Sequence, residues 1–134
     1  MHLSLVTLIV PSYDEGIRFF VDGLGWTLTA DEDQGRKRWV TVAPGAPSSD
    51  LGLSQTQILL AVATSPTQES ALGRQTGDRV GFFLQTDCFD RDADRITTAG
   101  GTFIETPRHE PYGKVAQWRD PWGNLWDLIE PARA

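Results

Sequence analysis

The sequence predicts an α+β protein built from two βαβββ repeats, each a curved mixed sheet with its helix on the outer face and its inner face contributing to a cup. Three observations carry that expectation. The order strand, helix, strand, strand, strand can be read twice along 134 residues. Landmarks of the first pass recur 70–76 positions later: residues 5–10 with 79–84, Leu24 and Gly25 with Gly100 and Gly101, Val40 with Val115, and residues 57–59 with 127–129. The third is the stretch 112–130, YGKVAQWRDPWGNLWDLIE, in which two apolar-rich strands flank the sharpest turn signal in the chain. Pro121 presets one turn dihedral, Gly123 relaxes another, and Asn124 tolerates unusual φ, so the flanks should fold back as a hairpin. One unit is too small to bury both faces of a sheet, so the two must pack together or exchange across a dimer.

The elements follow in order. Residues 3–10, LSLVTLIV, read as a buried strand that stops at Pro11. Ser12 and Glu15 have capping-box spacing and place a helix over residues 13–22, with Ile17, Phe20, Val21 and Leu24 as its apolar stripe. Short strands are expected at 26–30, at 36–44 and at 56–62, with a loop rich in Ser, Gly and Pro at 45–54. Residues 63–78 form a polar linker with one helical turn near Glu69. The second repeat starts with a strand at 79–86, then a helix at 89–99 capped by Asp87 and closed by Gly100 and Gly101. A strand at 102–105, a loop at 107–113 and the hairpin complete it. The domain expectation is thus a single domain over residues 1–134, made of repeat 3–62, linker 63–78 and repeat 79–130.

Composition narrows the function. Apolar residues make up 40% of the chain, enough for a real core, and five Trp with six Phe supply rings for a pocket or an interface. A net charge of -6 works against nucleic-acid binding, which needs a basic footprint. The lone Cys88 excludes an intrachain disulfide, and no Cys/His cluster suits a structural zinc. Without a long apolar run or a basic leader, a cytoplasmic protein with no membrane partner is the default.

The outgoing strand of the hairpin sets Asp127 between Leu125 and Ile129 on one face, an isolated carboxylate among apolar neighbours. Asp120 and Glu15 have local duties in turn and cap. Trp39, Trp118, Trp122 and Trp126 invite an aromatic-pocket reading, strongest for Trp39 and Trp118; Trp126, opposite in register to Asp127, is expected against the helix. Phosphate loops, nucleophile elbows and paired catalytic carboxylates are absent.

Three stretches, VPSYDEGIRFFVDGLGW, RVGFFLQTDCFDRDADRITTAGGTF and EPYGKVAQWRDPWGNLWDLIE, closely resemble the vicinal oxygen chelate superfamily, the glyoxalase, bleomycin-resistance and extradiol-dioxygenase group. The resemblance covers nearly the whole chain and implies fold more than function. Its catalytic members hold a divalent metal with His, Glu or Gln on the first and last strands of each repeat. Those places fall here on Leu5, Gln57, Arg79 and Asp127, and neither Leu nor Arg can ligate a metal. His2 and His109 lie outside that register. An inward Arg79–Asp127 pair is expected instead, with Phe83 on the face of Arg79, and Tyr112 resembles a residue of the loop that borders the pocket. The implied function is metal-independent binding of a small aromatic or cationic molecule, with no cofactor, by a homodimer, through Trp39, Gln57, Arg79, Phe83, Tyr112, Trp118 and Asp127. The alternative is a lyase, isomerase or dioxygenase with an atypical metal set near Gln57 and Asp127. A third class is an interaction subunit whose cup is filled by its own side chains.

Overall fold

Runs of β-branched residues ended by proline, glycine or a polar turn become strands at nearly all the expected places. A computed structural model describes residues 1–45 and 55–133, and the chain divides into two units, Met1–Leu72 and Gly73–Ala134. The fold is α+β, with two mixed sheets of four and five strands and no closed barrel among the described residues.

The first unit contains β1 (Leu5–Val10), α1 (Tyr13–Ile17), β2 (Thr27–Asp33), β3 (Arg38–Ala43), β4 (Gln57–Val62) and α2 (Pro66–Ala71). Its strand order is β1-β4-β3-β2, with β1 and β4 parallel and Leu5 level with Gln57. The loop expected at 45–54 lies, apart from Gly45, outside the described residues. Ser12 caps α1 as expected: its Oγ accepts from the Glu15 N–H at 3.1 Å and donates to the Glu15 carboxylate at 2.9 Å. A Cβ at Gly16 would sit 2.8 Å from Leu60 Cδ1, so the missing side chain sets how closely α1 lies on the sheet.

Residues 18–23 depart from the single helix expected over 13–22. They form a π-helical stretch, Arg18–Gly23, in which the Leu24 N–H reaches the Phe19 carbonyl at 3.0 Å. The wider turn buries the adjacent Phe19 and Phe20 together, edge to face at 5.0 Å, with Trp26 4.8 Å from Phe20.

The second unit contains β5 (Phe82–Gln85), α3 (Phe89–Ala99), β6 (Thr102–Phe103), β7 (Arg108–Glu110), β8 (Gly113–Arg119) and β9 (Leu125–Pro131). Its order is β5-β9-β8-β6, with β7 also on β8. Two local expectations need correction. Residues 107–113 are not simply a loop, because β7 and β8 form a hairpin around Pro111 and Tyr112. Asp87 does not cap α3: the N-cap is Cys88, which makes no side-chain cap bond, and Glu130 of β9 accepts from the Phe89 N–H at 2.7 Å.

Asp120 organises the turn between β8 and β9. It is 4% exposed, and its Oδ1 accepts from the backbone N–H groups of Trp122, Gly123 and Asn124 at 3.0, 2.9 and 2.9 Å. Its Oδ2 accepts from Asn124 Nδ2 at 2.8 Å and Trp126 Nε1 at 3.0 Å. Five donors thus converge on one carboxylate. The turn rests on the start of this unit, where a Cβ at Gly73, which has φ of 75°, would lie 1.9 Å from the Trp122 carbonyl oxygen. Asp120→Ala should lower stability by about 3–4 kcal/mol, because it strips buried donors of a charged acceptor. Urea unfolding followed by tryptophan fluorescence will measure this, and a loss below about 1 kcal/mol would show that the turn stands without the carboxylate.

Candidate functional site

Each sheet has one face on its helix and one turned away, and strand alternation assigns the side chains. In the second unit Phe82 stacks on Trp126 with centroids 4.4 Å apart, Trp126 stacks on Trp118 at 5.0 Å, and Phe103 lies 6.5 Å from Trp118. Trp118 is directly opposite Trp126 in the ladder and fully buried, so the expectation that it lines a ligand cavity is corrected: the register aims it into this aromatic core. Trp126 takes the inward place expected of it.

The other face carries Asp127. It is level with Phe83 on β5 and opposite Gln117 on β8. Its Oδ1 is covered and has no hydrogen-bond partner. Burial is the main influence on this carboxyl and raises its pKa; Arg108 pulls the other way and Glu105 adds to the rise. Glu105 joins that face to the strands: Oε1 accepts from Arg108 Nε at 2.7 Å and Oε2 from the Gln117 backbone N–H at 2.8 Å. Arg108 also donates to Glu110 at 3.1 Å, and bonds to Glu105 and then Tyr112 keep its guanidinium firmly charged. The same Arg108 bond is the first cause of the lowered Glu105 pKa. Around this polar group, Phe83 is 69% exposed, Tyr112 55% and Ile104 45%, unusual for large apolar or aromatic side chains.

Arg79 does not join this group. The turns at Thr76 and Gly77 delay the strand to Phe82, and Arg79 is left exposed before it, its N–H on the Thr76 carbonyl. The expected Arg79–Asp127 pair is therefore replaced by Asp127 in the field of Arg108. In the parallel ladder, Phe83 stands to Asp127 as Leu5 stands to Gln57.

In the first unit, Gln57 lies on the face away from α1, and its Oε1 accepts from Thr29 Oγ1 at 2.6 Å. Thr29 is in turn 2.6 Å from Thr41 Oγ1. Trp39, on the same strand and face as Thr41, is half-buried and borders a shallow hollow of about 190 Å³ with Tyr13, Lys37, Arg38 and Leu59. Gln57 and Trp39 thus share one unit, and Phe83, Tyr112 and Asp127 the other. Among the described residues no three His, Cys, Asp or Glu side chains form a group that could hold a metal ion, and the level partners of Gln57 and Asp127 are Leu5 and Phe83. Such a donor set does not fit the divalent metal of the catalytic vicinal oxygen chelate proteins. His109 is exposed on β7.

Sequence reasoning missed Glu105, Arg108, Gln117, Thr29 and Thr41. The signal for Arg108 and Glu110 was their spacing of two next to a Pro-Tyr-Gly turn, the pattern of a short edge strand showing one charged face. No comparable signal marked Thr29, whose position depends on a bulge.

Comparison with known proteins agrees with this architecture. Residues 2–128 match the family model of the Glyoxalase/Bleomycin resistance protein/Dioxygenase superfamily. The chain belongs to that superfamily. A relative from Shewanella frigidimarina (strain NCIMB 400), described as an uncharacterized protein, is 43% identical over 127 residues, 93% of this chain and 90% of the relative. Among solved structures, UcmS2 is similar with a TM-score of 0.77 at 26% identity, covering 96% of this chain and 97% of that one. TnmS3, an antibiotic binding protein from Streptomyces sp. CB03234, is similar with a TM-score of 0.73 at 28% identity, covering 98% and 97%. Among the described residues of this superfamily member, no helix is long and apolar enough to cross a membrane.

The strained carboxylate has a measurable signature. Asp127 has an ordinary value near 3.8 in the unfolded chain and a higher one in the fold. The native state therefore binds the proton more tightly, and stability falls as pH rises from about 3.8 through the raised value, the penalty being full only above it. Asp127→Asn should melt about 1–3 °C above the parent protein at neutral pH, with the gap closing as pH falls below the ordinary carboxylate range. Calorimetry across pH will show it; a gap that ignores pH would remove burial of charge as the cause.

Proposed function

We propose that this chain is a metal-independent binder of a small aromatic or cationic molecule, acting as a cytoplasmic homodimer. The observation that carries the reading is the Asp127 carboxylate, partly desolvated, with an oxygen that finds no partner, beside an exposed Phe83. A buried acceptor without a donor weakens the fold, and a partly desolvated carboxylate attracts a cationic ligand more strongly than one in water. Glu105, Glu110 and Asp127 set three carboxylates against the single guanidinium of Arg108, which favours a cationic donor. The exposed rings of Phe83 and Tyr112 suit the face of a planar group carrying that donor. Similarity to the antibiotic binding protein TnmS3 supports binding as the activity, and the poor fit of the donor set supports its independence from metal.

Chelator-treated protein is to be titrated with cationic acridinium and phenanthridinium dyes and with amine-bearing antibiotics, followed by tryptophan quenching and calorimetry. Binding without added metal is expected, and Asp127→Asn should weaken it about tenfold or more, roughly 1.4 kcal/mol. Binding that appears only with a divalent ion would return the chain to the metal-dependent side of its family, and equal affinity in Asp127→Asn would remove the carboxylate from recognition. Sedimentation equilibrium at micromolar concentration should give twice the mass of one chain; a monomer that still binds ligand would separate binding from dimerisation.

A further inference from the structure

We infer that Thr29 and Thr41 are positioning residues that fix the Gln57 carboxamide with its oxygen held by the sheet, so that its Nε2–H₂ serves as the hydrogen-bond donor for a carbonyl, phenolate or ether oxygen of the ligand. The inference rests on the binding reading above and concerns the first unit by itself.

The geometry begins with a bulge. β2 and β3 pair Leu28 with Val42 and Ala30 with Thr41, which leaves Thr29 as an extra residue without a register partner. A bulge of this kind re-aims a side chain, and here the Thr29 hydroxyl reaches across β3 to β4. It lies 2.6 Å from Thr41 Oγ1 and 2.6 Å from Gln57 Oε1. A threonine hydroxyl has one proton to give. Because Thr29 gives its proton to Gln57, Thr41 is the donor between the two threonines, and the bonds run in one direction, Thr41 to Thr29 to Gln57. Thr41 is 5% exposed, which fixes the inner end of the relay.

The outer end is the useful one. With Oε1 taken, the carboxamide keeps two N–H donors, and among the described residues Nε2 donates to no partner. Leu5 lies level with Gln57, and Leu59 is the next residue of β4 on the same face, so the donor has apolar neighbours. A donor held in one orientation beside apolar groups discriminates ligands by a missing acceptor more strongly than by shape. Gln57 therefore selects for an acceptor oxygen.

Two probes test this role: aminomethyl-fluorenone and aminomethyl-fluorene, which share a tricyclic frame and an ammonium group and differ at one carbon, C=O against CH₂. The parent protein should bind the fluorenone about tenfold more tightly. Gln57→Ala should abolish the preference, bringing the ratio of the two affinities to about one. Thr29→Val, which keeps side-chain volume and removes the relay hydroxyl, should reduce the preference at least threefold, and Thr29→Ser should restore it. In ligand-free protein, NMR of the Gln57 side-chain amide should show one fixed orientation, averaged in Thr29→Val. Equal binding of the two probes by the parent protein overturns the inference, as does a preference that survives Thr29→Val or an amide already averaged in the parent. Failure of both probes to bind counts against the binding reading itself; a fixed amide in the parent that averages in Thr29→Val still upholds the positioning role.

Discussion

The buried carboxylate of Asp120 is the interaction on which the second unit depends. Five donors within seven residues have no other nearby charge to satisfy them, and their convergence gives the chain between β8 and β9 one path. That path sets the register of the longest hairpin in the unit. Trp118 then faces Trp126, and Gln117 faces Asp127. A slip of one residue would exchange the two faces, putting the tryptophans outside and the carboxylate into the core. The aromatic stack and the polar face are thus two consequences of one turn.

The two units share a topology and differ in how they treat the polar residue on the face away from the helix. In the first unit the carboxamide of Gln57 is engaged by a hydroxyl relay supplied from an edge strand. In the second, Asp127 has the charge of Arg108 nearby but an oxygen without a hydrogen bond, while Arg108 is itself committed to Glu105 and Glu110. A protein optimised for stability alone would place a neutral or apolar side chain there, since desolvation of this carboxylate outweighs the attraction of Arg108. Local instability retained amid otherwise satisfied bonding is the usual mark of a surface shaped for a partner molecule.

Periodicity and turn chemistry made most of the fold legible. Ser12 and Glu15 announced α1, Gly100 ended α3, and the alternation after Asn124 put Trp126 and Asp127 on opposite faces. What could not be read depends on residues that act through geometry fixed elsewhere. The π-helical stretch at 18–23 buries Phe19 beside Phe20, and no helix propensity records such a widened turn. Trp118 was misplaced because its face is set by pairing with Trp126. Arg79 was misplaced because repeat alignment by offset does not see that the turn at Gly77 consumes residues before β5 begins. Asp127 was legible as an isolated carboxylate, but Arg108 and Glu105 were not, since their relation to it exists only once β7 folds back on β8.

The chemistry of each face also bears on the binding role proposed above. A metal-centred reaction needs several deprotonated or lone-pair donors around one point, and an acid-base reaction needs a titrating group within reach of a second polar group that it can exchange protons with. Gln57 does not titrate in water, and Thr29 and Thr41 are too weakly acidic to move a proton near neutral pH. Asp127 titrates, but its nearest charged neighbours are an arginine that cannot release its proton and a glutamate that Arg108 holds ionised. On each face by itself, the proposed binding role asks only for hydrogen bonding and ring contact, which these groups supply without having to change state.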